Sequence, residues 1–304
     1  MRGQAMTEKT VAGVIGLGSM GGGVAKSLLR AGFAARVCDV RPEVVRTFTE
    51  LGAIGCATPA ELAAACDVVV VLVVNAEQCE GVLFGKDGAV TGLRAGSVVM
   101  VSVTLAPDIA VSIGRRLAER GVLMIDGPVS GGAAKAATGE MTVMGSGAPE
   151  AFAKCEAVLK AIATKVYRLG DAPGAGSRVK MINQLLAGVH IAALGEAMAL
   201  GIKAGADPEV LYEVISNSAG SSWMFQNRVP HILAGDYTPL SAVNIFVKDL
   251  GIVLDAAKKS SFPLPLTATA HQMFMMAAAA GHGGEDDSAV IKIFPGVDLP
   301  KPKK

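Results

Sequence analysis

Two short stretches of this 304-residue chain carry residues whose types and spacing point to chemistry. The first is GLGSMG, with glycines at Gly16, Gly18 and Gly21 in the G-x-G-x-x-G pattern and Leu17, Ser19 and Met20 between them. Such a loop, placed between a strand and a helix, brings backbone N–H groups to a pyrophosphate. An apolar run precedes it, a helix-like segment follows it, and the next strand ends in Asp39, 18 residues beyond Gly21. An acid at that distance accepts the ribose hydroxyls of a dinucleotide and repels the extra phosphate of NADP, so NAD is favoured over NADP. Arg41, two residues on, is a guanidinium able to pair with that phosphate. The second stretch is GAGSRVKMINQ, with Lys180 one turn into an apolar helix and Asn183 three residues later on the same face. Burial lowers a lysine's pKa toward the range useful for proton transfer. Asn183 is placed either to bind substrate or to hold the lysine.

Three further positions are candidates by location. Ser130, Gly131 and Gly132 offer a hydroxyl and two backbone N–H groups on a turn, a nest suited to a carboxylate. The surrounding PVSGG is not G-x-S-x-G, which argues against a hydrolase nucleophile. Asn75 and Thr104 fall at the carboxyl ends of strand-like runs, where an open α/β sheet forms its ligand crevice.

The elements that must position these residues follow from hydrophobic period. VAGVIG, AARVCD, DVVVVLVV, SVVMVSV and VLMIDGP read as strands alternating with helices. Near-continuous Val/Ile/Leu runs mean strands buried on both faces, hence a doubly wound, mostly parallel, Rossmann-like sheet. EMTVMGSG and TKVYRLG are expected to complete it. After the glycine-rich turn Gly170–Ser177 the pattern is helical. The expected layout is a nucleotide-binding α/β domain over 10–172, an all-helical substrate and oligomerisation domain over 173–296, and flexible tails at 1–9 and 297–304. His190 and Met273–Met276 are expected in the helical core.

Composition excludes several classes. With 28 basic and 27 acidic residues there is no field for nucleic acid or an anionic membrane. Five cysteines without C-x-x-C spacing read as buried thiols in a reducing cytoplasm, and four histidines without ligand spacing give no metal site. The apolar run Met181–Ile202 is long enough to span a bilayer. It carries Asn183, Gln184, His190 and Glu196, so it reads as a helix packed inside protein, with no membrane role.

The segments DGPVSGGAAKAATGEMTVM (126–144), GAGSRVKMINQ (174–184) and FVKDLGIVLDAAK (246–258), together with the glycine loop, resemble the signature segments of the β-hydroxyacid dehydrogenases. That family includes 3-hydroxyisobutyrate dehydrogenase and tartronate semialdehyde reductase. The resemblance implies an oxidoreductase taking a small hydroxy-acid substrate, with Lys180 as catalytic general acid/base. It implies substrate contacts from Ser130, Gly131, Gly132, Asn183 and Gln184, and cofactor contacts from Gly16 to Gly21, Asp39, Asn75, Thr104 and Lys248. Gln184 stands where the family usually has a second asparagine, and Lys135 where alanine is commoner. Both add polar groups suited to a polyhydroxylated acid. Lys180 argues against the imine reductase branch, which replaces it, and against a non-catalytic binding module of the same fold. The apolar helical half implies a homodimer or homotetramer.

Overall fold

The computed structural model describes residues 10–302. The chain forms two compact units that divide between Lys180 and Met181.

In the first unit the five strand-like runs become β1 (Ala12–Ile15), β2 (Arg36–Cys38), β4 (Val68–Val71), β5 (Val98–Val101) and β6 (Leu123–Asp126). A two-residue edge strand, β3 (Ile54–Gly55), is exposed and carries no apolar run to announce it. The sheet is parallel with order β3-β2-β1-β4-β5-β6, so the chain reverses its winding direction between β1 and β4. Loops after these strands therefore open a crevice at the carboxyl edge.

Alternate residues of each strand enter opposite cores. Val14, Val68, Val70, Val98, Met100 and Ile125 face one side, packed by α1 (Ser19–Arg30) and α7 (Pro149–Ile162). Ile15, Val69, Val71, Val99, Val101 and Met124 face the other, packed by α3 (Pro59–Ala64), α4 (Ala76–Phe84) and α5 (Pro107–Ala118). Two-sided burial explains why the strands read as continuous valine runs. The helix α2 (Pro42–Glu50) completes the β2–β3 crossover.

The last two strand-like runs do not join this sheet. They form β8 (Met141–Gly145) and β9 (Ala163–Arg168) of a separate three-stranded sheet with β7 (Val129–Ser130) and the short α6 (Gly132–Thr138). They touch it at one point, where Asp126 pairs with Ser146 through two backbone hydrogen bonds of 2.9 Å. β7 continues that antiparallel pairing along β8 in the same register, across Pro128, whose carbonyl accepts the Met144 N–H at 2.9 Å.

α8 (Ala175–Lys203) is 29 residues long and, by length and composition, apolar enough to cross a membrane. Its Ile191, Ala192, Leu194, Met198 and Ala199 instead enter the core of the second unit. That core also takes α10 (Trp223–Ala234), α11 (Val243–Lys259) and α12 (Pro265–Ala277), with α9 (Pro208–Ser216) packed against it through Leu211 and Ile215. Phe246 and Phe274 stack at 5.2 Å. Met273 packs there as expected, but Met275 and Met276 are exposed, because the buried stripe of α12 runs Thr267, Ala270, Phe274, Ala277. His190 is half-buried. Residues 297–302, expected as part of a tail, lie against this unit: Val297 and Leu299 pack on the core and Lys301–Pro302 run beside Gly235. The rest of the expected tails, 1–9 and 303–304, lies outside the described residues.

All five cysteines are buried and free. Burial pushes the thiols of Cys66, Cys79 and Cys155 up to about 12, which leaves them without thiolate character at neutral pH.

One buried ion pair ties the second unit together. Arg228 on α10 donates through Nε to Asp287 Oδ1 at 2.5 Å and through Nη2 to Oδ2 at 3.1 Å, with Asp287 wholly buried. Removing one member of such a pair strands the other charge away from water. Asp287→Ala is therefore expected to lower unfolding free energy by about 3–5 kcal/mol in chemical denaturation. A loss below about 1 kcal/mol would place the pair among contacts that contribute little.

Candidate active site

The glycine loop leaves β1 at Ile15 and enters α1 at Ser19. Gly16 sits at φ +90°, and a Cβ there would lie 2.4 Å from the Leu72 carbonyl oxygen. A Cβ on Gly21 would lie 1.8 Å from the Gly16 carbonyl oxygen, so the helix can seat against the loop only without one. Gly18 differs: nothing stands within 4 Å of its Cβ position, and it begins α1 with no side chain capping the helix. An open, uncapped helix start is the geometry that takes a phosphate.

Asp39, just past β2, closes the loop from the side. Its Oδ2 accepts the N–H of Leu17 at 2.7 Å and Arg41 Nη2 at 3.0 Å, while Oδ1 accepts Arg41 N at 3.0 Å and Nε at 2.8 Å. Burial pushes this carboxyl up, but the Arg41 and Leu17 hydrogen bonds outweigh it and hold the group at about 2. Both oxygens carry two bonds each, so a ribose diol would have to displace the Arg41 side chain. That side chain is 50% exposed and has room to swing.

Asn75 follows β4 and caps α4, its Oδ1 accepting Gln78 N at 2.8 Å, while Gln78 Oε1 accepts Val74 N at 2.9 Å. Its carboxamide oxygen is thus already engaged. Thr104 is half-buried between β5 and α5. Because β1, β2, β4 and β5 are parallel, the glycine loop, Asp39, Asn75 and Thr104 all follow strands at the carboxyl edge.

Ser130 ends β7, and Gly131 and Gly132 follow at φ +133° and +73° to start α6. The stem of Lys135 folds back to within 3.0 Å of where a Gly131 Cβ would stand. α6 is bound to α1: Ser27 Oγ donates to Ala136 O at 2.8 Å and Arg30 Nη1 to Ala137 O at 2.6 Å. The turn at 130–132 and the glycine loop are therefore held on one scaffold.

Lys180, the last residue of the first unit, lies in the second turn of α8 and is 8% exposed. Asn183 and Gln184 lie three and four residues further along the same helix. In the second unit Asn183 Nδ2 donates to Gln184 Oε1 at 3.0 Å, and Gln184 Nε2 donates to Asp249 Oδ2 at 2.6 Å. Lys248 Nζ stands 2.6 Å from Asp249 Oδ1, off the line of a good hydrogen bond. Asp249 thus gathers Asn183, Gln184 and Lys248, and the sequence reading gave it no role. A signal was present: on α11 it occupies a stripe otherwise filled by Phe246, Leu250 and Val253, and a carboxylate on a buried stripe needs partners.

The loop and the acid beside it fit a dinucleotide: the space at Gly18 would admit the pyrophosphate and Asp39 the adenosine ribose. Comparison with known proteins agrees. Residues 11–170 match the NAD binding domain of 6-phosphogluconate dehydrogenase, and residues 174–294 match the family described as NAD-binding of NADP-dependent 3-hydroxyisobutyrate dehydrogenase. The chain is 68% identical to an L-threonate dehydrogenase of Cupriavidus necator, over 95% of this chain and 97% of that one. It is 54% identical to an L-threonate dehydrogenase of Escherichia coli, over 96% and 97%. A crystal structure described as 3-hydroxyisobutyrate dehydrogenase from Salmonella typhimurium superposes with a TM-score of 0.90 at 53% identity, covering 94% of this chain and all of that one. With an NAD-binding α/β unit, a helical second unit and these matches along nearly its whole length, the chain belongs to the 3-hydroxyisobutyrate dehydrogenase-like family of β-hydroxyacid dehydrogenases.

Proposed function

We propose that the protein oxidises L-threonate at the carbon beside its carboxylate, giving the 2-oxo acid. NAD bound along the glycine loop supplies the acceptor for the hydride that leaves that carbon. The remaining work falls to side chains. Ser130 and the N–H groups of Gly131 and Gly132 hold the substrate carboxylate. Lys180, as a neutral amine, takes the hydroxyl proton as the C–H electron pair departs, and in reverse it returns that proton to the developing alkoxide. Asn183 and Gln184 meet hydroxyl groups of the acid, and Lys135 stands beside the carboxylate turn. Lys248 reaches toward cofactor and substrate.

The burial of Lys180 carries the chemistry. At 8% exposure Lys180 is screened from bulk water, which suits an amine that exchanges its proton with a bound substrate. The choice of acid is supported by the 68% identity to the Cupriavidus enzyme. A second reading, oxidation of 3-hydroxyisobutyrate, is favoured by the description of the Salmonella structure. On the proposed layout, 10–172 holds the cofactor and 173–296 serves substrate and assembly, in a cytoplasmic homodimer or homotetramer. Leu200, Val210, Val214 and Leu266 are exposed apolar side chains of the helical unit that a second copy would cover.

The deciding experiment is NAD⁺ reduction with L-threonate, D-threonate, D-glycerate and 3-hydroxyisobutyrate side by side. Preference for L-threonate is the expected result; turnover of only the smaller acids would leave the family and remove the substrate. Lys180→Ala should lower kcat by about 10²–10⁴-fold with the NAD⁺ Kd unchanged, and retained turnover would remove the lysine from the mechanism.

Cofactor choice has its own test. Asp39→Ala should cut the NAD⁺ over NADP⁺ preference by about tenfold or more, the scale of losing hydrogen bonds to a charged group. Arg41→Ala should weaken NADP⁺ by a similar factor while NAD⁺ binds no worse. An unaltered ratio in both variants would take selectivity away from this pair. Because Asp39 titrates at about 2 instead of 3.8, its charge is present above 3.8 and lost only as pH falls toward 2. The preference should therefore not vary across the working pH range.

A further inference from the structure

We propose that Asp126 is a positioning residue for Lys180, fixing the first turn of α8 in one register against the ends of β6 and β8. This rests on Lys180 being the general acid/base.

α8 begins without a cap of its own. The residue before it is Gly174, at φ +113°, so no adjacent side chain can accept the N–H groups of the first turn. They are accepted from a distance. Asp126 Oδ2 accepts Gly174 N at 2.8 Å and Ser177 N at 2.9 Å, while Ser146 Oγ accepts Gly176 N at 2.9 Å. Ser177 Oγ donates to Asp126 Oδ1 at 2.6 Å and Ser146 Oγ to Asp126 Oδ2 at 3.2 Å. Asp126, Ser146 and Ser177 are all essentially unexposed. The contact is also one of backbones: a Cβ on Gly176 would lie 2.4 Å from Met144 O and 2.5 Å from Asp126 O.

Three features turn this cap into a positioning device. Lys180 lies three residues beyond Ser177, one turn on and on the same side of the helix. Ser130 lies four residues beyond Asp126, so one carboxylate marks the origin of both the carboxylate turn and the lysine's helix. Every partner that the hydrogen bonds give this carboxylate is an N–H or O–H donor, and the carboxylate faces the start of α8. Asparagine would keep the shape but put an NH₂ where an acceptor is needed. α8 is anchored further along by the core of the second unit, so its first turn can shift without the helix unfolding.

The test combines Asp126→Asn and Ser177→Ala, each alone and together with Lys180→Ala, using L-threonate and NAD⁺. A misplacement near 1 Å costs about 100-fold in rate. Asp126→Asn should lower kcat by about that factor with a much smaller change in KM, and with NAD⁺ affinity by calorimetry unchanged. Ser177→Ala should act in the same direction and less. On top of Lys180→Ala neither should lower the residual turnover further, because a residue acting through the lysine has nothing left to act on. A folded Asp126→Asn with wild-type kcat, a fall that persists undiminished without the lysine, or a parallel loss of NAD⁺ affinity would each overturn the assignment. If Asp126→Asn does not fold, Ser177→Ala carries the same comparison. Retained turnover in Lys180→Ala alone would instead remove the lysine's role, and this inference with it.

Discussion

The first turn of an α-helix presents backbone N–H groups that no carbonyl of that helix can accept. Two helix starts in the first unit resolve this in opposite ways. α1 starts at Gly18 with no side chain in reach and open space above it, which leaves its N–H groups to an incoming anion. α8 starts against the ends of β6 and β8, and its N–H groups are taken by Asp126 and Ser146. A negative group suits both helix starts, on the proposed reading brought by the cofactor in one case and built into the chain in the other. Exchanging the solutions would ruin both: a capped α1 has no place for a pyrophosphate, and an uncapped α8 buries unpaired donors beside the lysine.

Two further acids share this logic. Asp39 is tied to the glycine loop through Leu17 N, so the residue that would meet the ribose also fixes the loop that would meet the phosphates. Asp249 does the same on α11 for Gln184 of α8. In each case a carboxylate orders donors from a different segment, and hydrogen bonds to charged acceptors contribute about twice what neutral ones do. Precision of placement thus comes from a few charged groups on rigid elements.

The parts legible in the sequence are those that a single segment dictates. Valine runs gave the five main strands because two-sided burial needs them, and G-x-G-x-x-G with Asp39 gave the loop because glycine geometry and spacing are local. Departures occur where the deciding partner is remote. β3 is two exposed residues at the sheet edge, paired to β2, so no apolar pattern marks it. EMTVMGSG looks like any buried strand, and nothing in its own residues says that its antiparallel partner is the segment beyond β6. Val297 and Leu299 sit in a Pro- and Lys-rich end whose docking depends on the helical core. Asp126 lies 48 residues from Gly174, and Asp249 65 residues from Gln184. Local spacing cannot announce such pairs, although an acid inside an apolar stripe does announce that a partner exists.

Acceptor-only chemistry at Asp249 has one more effect, on what the second unit offers a ligand. An ionised carboxylate accepts and never donates, so Gln184 must turn its NH₂ toward Asp249 and its carbonyl toward Asn183. Asn183 must then turn its own NH₂ toward Gln184, which directs its carbonyl oxygen the other way. The orientation of both amides follows from one charge through a chain of two hydrogen bonds. On the proposed reading, the group that Asn183 presents is an acceptor, matched to a substrate hydroxyl that donates. An acid with hydroxyls on neighbouring carbons satisfies such an acceptor, whereas one with a methyl in that place leaves a desolvated carbonyl unpaired. Sites built to bond a hydroxyl reject analogues lacking it far more strongly than apolar pockets reject an extra methylene. On the same reading Gln184, where the family usually has asparagine, is the residue long enough to carry that polarity from Asp249 on α11 to Asn183 on α8.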